Sequence, residues 1–116
     1  MSLIKQIKQK VAIQNFVGQF HCATGPAIVW EDGSQYWYLY NRLHRNDGPA
    51  IELPTGHKEW WFNGQRHRLN GPAIERPNGS KEYWIHNQCI LIEKDYWTEI
   101  YEMGLITKEE LFLKLL

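Results

Sequence analysis

Three histidines at a constant spacing are the first candidates for chemistry in this chain. His21, His44 and His67 follow one another at intervals of 23 residues and begin similar stretches of sequence. If successive stretches fold as hairpins laid side by side, equivalent side chains lie about two strand spacings, roughly 10 Å, apart. Because a metal ion needs its ligands at about 2 Å, neighbouring histidines cannot share one ion. We predict that each imidazole bonds the turn backbone of its own stretch or pairs with a carboxylate such as Asp47.

The two cysteines, Cys22 and Cys89, stand near opposite ends of the same region. Strand spacing separates them by roughly 30 Å, whereas a disulfide requires Cα atoms within about 7 Å. We therefore expect free thiols and a reducing, cytoplasmic setting. The sequence contains no nucleophile–base pair, metal-ligand spacing or phosphate-binding loop. These observations predict a protein without enzymatic activity, cofactor or metal.

Arg45 and Arg68, at equivalent positions, are the candidates for an anion site. The chain has 13 Lys and Arg against 13 Asp and Glu, so its formal net charge is zero. Glutamates such as Glu52 and Glu75 alternate with the basic residues and would cancel their field. Nucleic-acid binding is disfavoured for this reason. No apolar run approaches the length of a membrane span, so no membrane contact is predicted.

A 23-residue repeat supplies the elements that position these side chains. The segment HRNDGPAIE, which begins at His44, recurs from His67 as HRLNGPAIE, and a looser copy begins at His21. The aromatic-rich segments QYWY, KEWW and KEYW follow at the same spacing. Self-similarity at a fixed period predicts an array of equivalent units that bury their apolar surface against their neighbours.

Each copy is predicted to form a β-hairpin. A short Ala-Ile strand leads into Pro-Thr-Gly or Pro-Asn-Gly, which suits a three-residue loop whose glycine is left-handed. The second strand is rich in Trp and Tyr, which sheets favour. This loop pairs glutamate with lysine across the hairpin: Glu52 with Lys58 and Glu75 with Lys81. A two-residue loop would instead oppose Glu52 and Glu59, which is unfavourable.

Outside residues 16–89 the interval between apolar residues changes from two to 3.6, and an interval of 3.6 is typical of helices. Residues 1–15 are predicted to form a short N-terminal helix, and residues 93–116 two C-terminal helices. Asp95 and Gly104 are expected to begin and end the first C-terminal helix. The second should begin with a capping box at residues 107–110. Its predicted apolar face consists of Leu111, Phe112, Leu115 and Leu116.

The sequence thus predicts one mainly β domain over residues 1–116, a single-layer antiparallel sheet of three tandem hairpins with helical caps. Aromatic residues form two columns in it: Trp37, Trp60 and Tyr83, and beside them Tyr38, Trp61 and Trp84. Adjacent residues on a strand point to opposite faces, so both faces carry aromatic rings. An uncovered aromatic face is typical of an interface. Aromatic ladders also stabilise thin sheets by themselves, so a purely structural interpretation stands beside this one.

The first copy deviates most from the repeat, and residues that break a repeat are the better candidates for recognition of a specific partner. It has Trp30 where the second copy has Leu53, and two tyrosines where the second copy has Glu59 and Asn63. The predicted partner-binding residues are Trp30, Tyr36, Tyr38, Tyr40, Trp61 and Trp84.

The 23-residue period, the Trp-x-Asn-Gly-x-x-His turn of residues 61–67 and the Asn-Gly-Ser-Lys turn of residues 78–81 resemble MORN repeats. The MORN-variant repeats with a His-Arg-x-Asp-Gly-Pro-Ala signature are closer still. The resemblance covers about residues 16–89. Arg68 and Leu69 stand before the glycine where MORN units have glycine earlier, so the lipid binding of MORN proteins is not carried over. The resemblance implies a sheet of stacked hairpins used for protein contacts, including antitoxin-like or dimeric roles in bacterial and phage proteins.

Together these features predict a non-enzymatic protein-binding module, such as a phage or bacterial inhibitor, that blocks another protein through an aromatic sheet face. A second copy of the chain, in a homodimer, is also a possible partner. The alternative from another class is a sponge for small ligands or nucleotides, with bases stacked on aromatic rings and phosphate on Arg45 or Arg68.

Overall fold

The computed structural model describes residues 9–90 and 96–115. Within them, twelve short strands precede two helices, and all strand pairs are antiparallel. The strands are β1 (Gln9–Ala12), β2 (Ile28–Trp30), β3 (Gln35–Tyr36), β4 (Tyr38–Leu39), β5 (Arg42–Leu43), β6 (Ile51–Glu52), β7 (Lys58–Glu59), β8 (Trp61–Phe62), β9 (Gln65–Arg66), β10 (Ile74–Glu75), β11 (Lys81–Ile85) and β12 (Gln88–Ile90). The helices are α1 (Tyr96–Glu102) and α2 (Lys108–Leu115).

Eight strands form one sheet in the order β1-β2-β3-β6-β7-β10-β11-β12, while β4-β5 and β8-β9 form two-stranded ribbons. The prediction of a large antiparallel sheet is confirmed, although the strands do not belong to one continuous layer. The large sheet and the two-stranded ribbons separate where the chain of each unit changes its pairing partner. At Trp60 the N–H donates to the Ala73 carbonyl, and the Trp60 carbonyl accepts from the His67 N–H of the ribbon.

We number the 23-residue segments that begin at His21, His44 and His67 as units 1, 2 and 3. The large-sheet hairpin of each unit closes with a three-residue loop, as predicted. In unit 2 the Leu53 N–H donates to the His57 carbonyl, and Gly56, with φ of 97°, donates to the Leu53 carbonyl. The predicted cross-strand pairs, both confirmed, are Glu52 with Lys58 and Glu75 with Lys81.

A second turn, of two residues, closes the other end of each unit. In unit 2 it consists of Asn63 and Gly64, whose φ angles of 48° and 78° are typical of a type I′ hairpin turn. Residues 40–41 and 86–87 adopt the same left-handed conformation in units 1 and 3. The Gly64 N–H donates to the Leu43 carbonyl, so the turn of one unit also bonds the preceding unit.

The predicted N-terminal helix is wrong for the described part of residues 1–15. Residues 9–12 form strand β1, in which Val11 lies opposite Val29 and Ala12 lies opposite Ile28. Residues 1–8 lie outside the described residues. The free edge of β2 offers a row of backbone donors and acceptors, and pairing with it overrides a weak local helix pattern.

The apolar core has two parts. Buried Ala-Ile pairs run along the sheet, one from each unit: Ala27 with Ile28, Ala50 with Ile51 and Ala73 with Ile74. The second part lies between unit 3 and the C-terminal helices and contains Ile85, Ile90, Ile100 and Ile106. Helices α1 and α2 therefore cover the C-terminal end of the sheet.

The C-terminal helices agree with most of their predicted signals. The Thr107 N–H donates to Glu110 Oε1 at 3.0 Å and the Glu110 N–H donates to Thr107 Oγ1 at 3.1 Å, which confirms the capping box. Gly104, with φ of 78°, follows the end of α1 as predicted. Asp95, the predicted N-cap, lies outside the described residues.

The predicted apolar face of α2 is wrong in part. Leu111 packs against the core, but Phe112 and Leu115 are 65% and 55% exposed. Leu116 lies outside the described residues. The reason is that, among the described residues, α2 packs along the side that carries Leu111, whereas the spacing of the apolar residues predicts one buried side for all four.

Candidate functional site

Two tryptophans and an arginine form a stack on one face of the molecule. Arg66 lies opposite Trp61 across the β8-β9 ribbon. Its Cζ atom is 5.1 Å from the ring centroid of Trp61 and 5.0 Å from that of Trp84, one unit further along. Cation–π attraction to both indoles holds the guanidinium between them. We call this surface the tryptophan face and define it by Tyr38, Glu59, Trp61, Arg66, Glu82 and Trp84.

A glutamate two residues before each tryptophan fixes its ring. Trp61 Nε1 donates to Glu59 Oε1 at 3.0 Å, and Trp84 Nε1 donates to Glu82 Oε1 at 3.0 Å. Residues two apart on a strand share a face, so this contact is built into the hairpin. Glu59 is held in turn by His57, whose Nε2 lies 2.7 Å from Glu59 Oε2. Both indoles are therefore oriented in advance of any binding event.

The same contacts keep the two glutamates ionised. Burial alone would raise the pKa of Glu59, but hydrogen bonds from His57 and Trp61 and the charge of Arg66 hold it below its usual value. A hydrogen bond from Trp84, assisted by Arg76, lowers the pKa of Glu82. Arg66 Nε lies 3.6 Å from Glu59 Oε1, which is an ion pair too long for a hydrogen bond. The carboxylates thus hold the indoles and balance Arg66 at neutral pH.

The structure places most of the predicted partner-binding residues along this face. Tyr38 lies opposite Leu43, as Trp61 lies opposite Arg66, and therefore continues the row into unit 1. Tyr36, two residues before Tyr38, shares its face. Trp30 lies beside Tyr36 around a shallow depression of about 260 Å³.

Tyr40 lies apart from this row. It occupies the two-residue turn of unit 1, where the residue is 63% exposed and its ring centroid lies 4.3 Å from that of His21. Residues 40 and 38 point to the same side only in a regular strand, and the left-handed turn ends the strand before Tyr40. The tyrosine therefore contributes to the turn and not to the tryptophan face.

Arg45, predicted as an anion ligand, lies on the opposite face, where its side-chain hydrogen bonds stay within unit 2 and its guanidinium stacks on a tryptophan of unit 1. Its Cζ atom is 3.8 Å from the centroid of Trp37. Its Nε donates to Asp47 Oδ1 at 2.9 Å, and its Nη1 donates to the Pro49 carbonyl and to Glu52 Oε1, both at 3.1 Å. The guanidinium therefore ties the loop of unit 2 to the adjacent strand.

Arg68 repeats this arrangement in unit 3. Its Cζ atom is 3.8 Å from Trp60, and its Nη1 donates to the Pro72 carbonyl at 3.1 Å and to Glu75 at 3.4 Å. Unit 1 has Cys22 and Val29 at the positions of this arginine and glutamate. Because unit 1 lacks both the arginine and the glutamate, a comparison of the units could have predicted this ion pair.

The three histidines close their own units, as predicted. The Nδ1 atom of each accepts a hydrogen bond from the first backbone N–H of the two-residue turn. The pairs are His21 with Tyr40 at 3.1 Å, His44 with Asn63 at 3.0 Å and His67 with His86 at 3.0 Å. Each Nδ1 must be unprotonated to accept this bond.

Acid should destabilise the fold through His67. Burial lowers the pKa of His67, and the charge of His86 lowers it further. The folded state then binds fewer protons than the unfolded state, so this contribution is present above the unfolded pKa of about 6.5 and is lost as the pH falls below it. We expect the urea midpoint of unfolding to be lower at about pH 5 than at about pH 7. The variant His67→Gln should show a smaller pH dependence, and an equal dependence in variant and wild type would contradict this role.

The remaining candidates for chemistry form no site among the described residues. Cys22 and Cys89 are free thiols, and a backbone hydrogen bond from Thr24 lowers the pKa of Cys22. In residues 9–90 and 96–115, no three His, Cys, Asp or Glu side chains come together as metal ligands. Neither of the two described helices has the length and apolar character needed to cross a bilayer.

Comparisons of the chain with protein-family models, with curated proteins and with solved structures found no match. The candidate function therefore depends on the tryptophan face and its surroundings.

Proposed function

We propose that this chain is a non-enzymatic protein-binding module that blocks another protein through the tryptophan face, as a phage or bacterial inhibitor or antitoxin does. The observation that carries this proposal is the stack of Trp61, Arg66 and Trp84 with a glutamate on each indole. In the same proposal, three tandem hairpin units of the MORN-variant type form the array, and the C-terminal helices cap it.

The residue types of this face support the proposal. Trp, Tyr and Arg are enriched among the interface residues whose truncation costs the most binding energy. Binding normally immobilises side chains, at about 0.5–1.5 kcal/mol for each flexible one. Because hydrogen bonds already hold Trp61 and Trp84, little of this entropy remains to be lost when a partner binds.

The extent of the row also supports a macromolecular partner. Tyr38, Trp61 and Trp84 occupy equivalent places in three successive units, so the row extends over about four strand spacings, roughly 20 Å. A small ligand contacts a pocket, whereas a row of this length matches one side of a protein interface. The described helices pack against Tyr83 and Ile85, whose side chains alternate onto the other face from Trp84.

The alternative of a nucleotide sponge has weaker support. It required Arg45 or Arg68 to bind phosphate, and both guanidinium groups already bond carboxylates and carbonyls of their own units. A panel of nucleotides tested by thermal shift separates the two functions. The inhibitor function predicts that nucleotides leave the melting temperature unchanged. A saturable rise in melting temperature that Arg68→Ala abolishes would favour the sponge.

Loss of one indole should weaken capture of the partner. We expect Trp61→Ala and Trp84→Ala each to reduce the affinity of the full-length protein for its partner at least about tenfold. The measurement is quantitative affinity capture with mass spectrometry, followed by titration of the captured protein against wild type and variants. Tyr40→Ala removes an exposed aromatic ring away from the face and is the matched control, with unchanged affinity expected.

Two further variants distinguish recognition from folding. Trp61→Phe keeps an aromatic ring but removes the indole N–H, and Glu59→Gln weakens the contact that orients the ring. Both should bind more weakly than wild type while melting at nearly the same temperature. If the double variant Trp61→Ala, Trp84→Ala still captures the partner with unchanged affinity, the tryptophan face serves only the fold.

A further inference from the structure

The shallow depression of about 260 Å³ in unit 1 continues the row of the tryptophan face. Four residues line it: Trp30, Asp32, Ser34 and Tyr36. Tyr36 shares its face with Tyr38, the member of the row in unit 1. The surface of the depression is mainly apolar, and among the described residues Asp32 provides the only charge in its lining. Aromatic rings attract cations through the negative potential of their faces, and a carboxylate adds to that attraction.

Ser34 holds the carboxylate of Asp32 in place beside the aromatic residues. Asp32 Oδ1 accepts a hydrogen bond from the Ser34 N–H at 2.8 Å. Hydrogen bonds from the hydroxyl and the N–H of Ser34 hold the pKa of Asp32 below its usual value. Burial raises the pKa of Tyr36, and the negative charges of Asp32 and Glu59 raise it further. The carboxylate of Asp32 is therefore ionised at neutral pH and acts on the neighbouring tyrosine.

Units 2 and 3 provide their own basic group for the equivalent carboxylate, and unit 1 does not. In unit 3, Arg76 forms an ion pair with Glu82. These residues are equivalent to Trp30 and Tyr36 of unit 1. In unit 2 a histidine lies against the equivalent glutamate. The acidic residue of unit 1 is Asp32, and no described lysine or arginine side chain forms an ion pair with it.

The tryptophan face shows how this protein holds a guanidinium group. Arg66 lies between Trp61 and Trp84, at 5.1 and 5.0 Å from their ring centroids. Glu59 Oε1 lies 3.6 Å from Nε of the same arginine. The depression of unit 1 has the same combination of aromatic residues and a carboxylate, but among the described residues it contains no arginine.

We propose that the depression of unit 1 binds a lysine or arginine side chain of the protein that the tryptophan face captures. This inference rests on the proposed function and adds the charge of the side chain that the partner contributes. Pockets for drug-sized molecules have volumes of about 300–1,000 Å³ and enclose most of the ligand. The depression is smaller and shallow, which suits the end of one side chain. Because it continues the row of aromatic residues, one partner can contact both.

NMR titration of the full chain with an amino-acid derivative tests the depression without the partner. The probe is N-acetyl-arginine amide at constant ionic strength, observed through the indole N–H signals of the six tryptophans. We expect a saturable shift of the Trp30 signal, with a dissociation constant of about 10 mM. The signals of Trp61 and Trp84 should stay in place, because Arg66 already lies between them. N-acetyl-citrulline amide has nearly the same shape without the charge and should cause no saturable shift.

Variants taken from the other units remove each contact and keep the loop. Asp32→Asn introduces the residue of unit 3, where Asn78 Oδ1 accepts the equivalent loop N–H at 2.9 Å. Trp30→Leu introduces the residue of unit 2. Asp32→Asn and Trp30→Leu should each raise the dissociation constant of the arginine derivative at least about threefold, read for Trp30→Leu from backbone N–H signals of the loop. Asp47→Asn removes the same charge from an exposed loop on the opposite face and should leave binding of the derivative unchanged.

Titration of the captured partner separates this inference from the proposed function. Asp32→Asn should weaken partner binding at least about threefold at low salt, and the loss should shrink as added salt screens the charge. The proposed function fails if the double variant Trp61→Ala, Trp84→Ala captures the partner unchanged, a result that the arginine titration does not involve. The inference is overturned if the arginine and citrulline derivatives shift the Trp30 signal equally, or if neither shifts it at about 100 mM. It is also overturned if Asp32→Asn leaves the affinity for the partner unchanged.

Discussion

Replacement of Ile100 by alanine should lower the free energy of unfolding by about 3 kcal/mol. Ile100 of α1 is fully buried in the cluster that joins the helices to unit 3. Its truncation removes apolar contacts and leaves a cavity, because the sheet strand on one side cannot move toward the helix. Urea unfolding monitored by tryptophan fluorescence measures the change.

The matched control for this prediction is Val17→Ala. Val17 is also an aliphatic residue, but it is 65% exposed in the first turn, so its truncation should change stability by less than about 0.5 kcal/mol. A loss below about 1 kcal/mol in Ile100→Ala would mean that α1 contributes little to the fold.

Alanine at Gly48 should destabilise the protein by about 2 kcal/mol. A Cβ atom at Gly48 would lie 2.9 Å from Cζ of Arg45 and 3.1 Å from its Nε. The guanidinium cannot move away cheaply, because the ring of Trp37 lies on it at 3.8 Å. Moving it breaks charge-assisted hydrogen bonds to Asp47 and Glu52.

The repeat provides two internal controls for the Gly48 prediction. Gly71 meets Arg68 at slightly longer distances, of which the shortest is 3.1 Å, so Gly71→Ala should have a similar but smaller effect. Gly25 has nothing within 4 Å, and its unit has Cys22 in place of the arginine, so Gly25→Ala should be nearly neutral. Equal losses at Gly25 and Gly48 would rule out the steric explanation. In an Arg45→Ala background, Gly48→Ala should have little further effect.

The hairpin register could be predicted because its causes are local. Turn chemistry at Pro-Thr-Gly and Pro-Asn-Gly determines the loop length, and loop length determines which residues face each other. The pairing of Glu52 with Lys58 follows from these few residues. The capping box of α2 is local in the same sense, since its two bonds join Thr107 and Glu110.

The features that could not be predicted depend on distant neighbours. Strand β1 forms because β2 has a free edge, and no residue near Val11 carries that information. Helix α2 packs Leu111, partly buried, against the core but leaves Phe112 exposed, because packing partners in the rest of the fold determine which side is covered. Local periodicity predicts that a segment is amphipathic, but not how much of its apolar side finds a partner.

The tryptophan face could be predicted from the sequence in part. The column of Tyr38, Trp61 and Trp84 follows from the repeat and from strand alternation. The sequence also indicates the hydrogen bond between Glu59 and Trp61, because unit 1 has tyrosine at both equivalent positions. Tyr38 has no indole N–H and needs no carboxylate beside it. Comparison of units for residues that change together therefore identifies contacts that a single unit does not show.

The histidine bonds give the array a modular character. Because His44 bonds the turn at Asn63, 19 positions later, this hydrogen bond joins two residues of the same 23-residue segment, and the bonds of His21 and His67 do the same. Duplication or deletion of one whole segment would leave the histidine bonds of the other segments intact, while bonds between neighbouring units, such as that from the Gly64 N–H to the Leu43 carbonyl, would re-form with the equivalent residue of the new neighbour. The number of units is then open to change by recombination, so the row of aromatic residues can become longer or shorter without redesign of the fold.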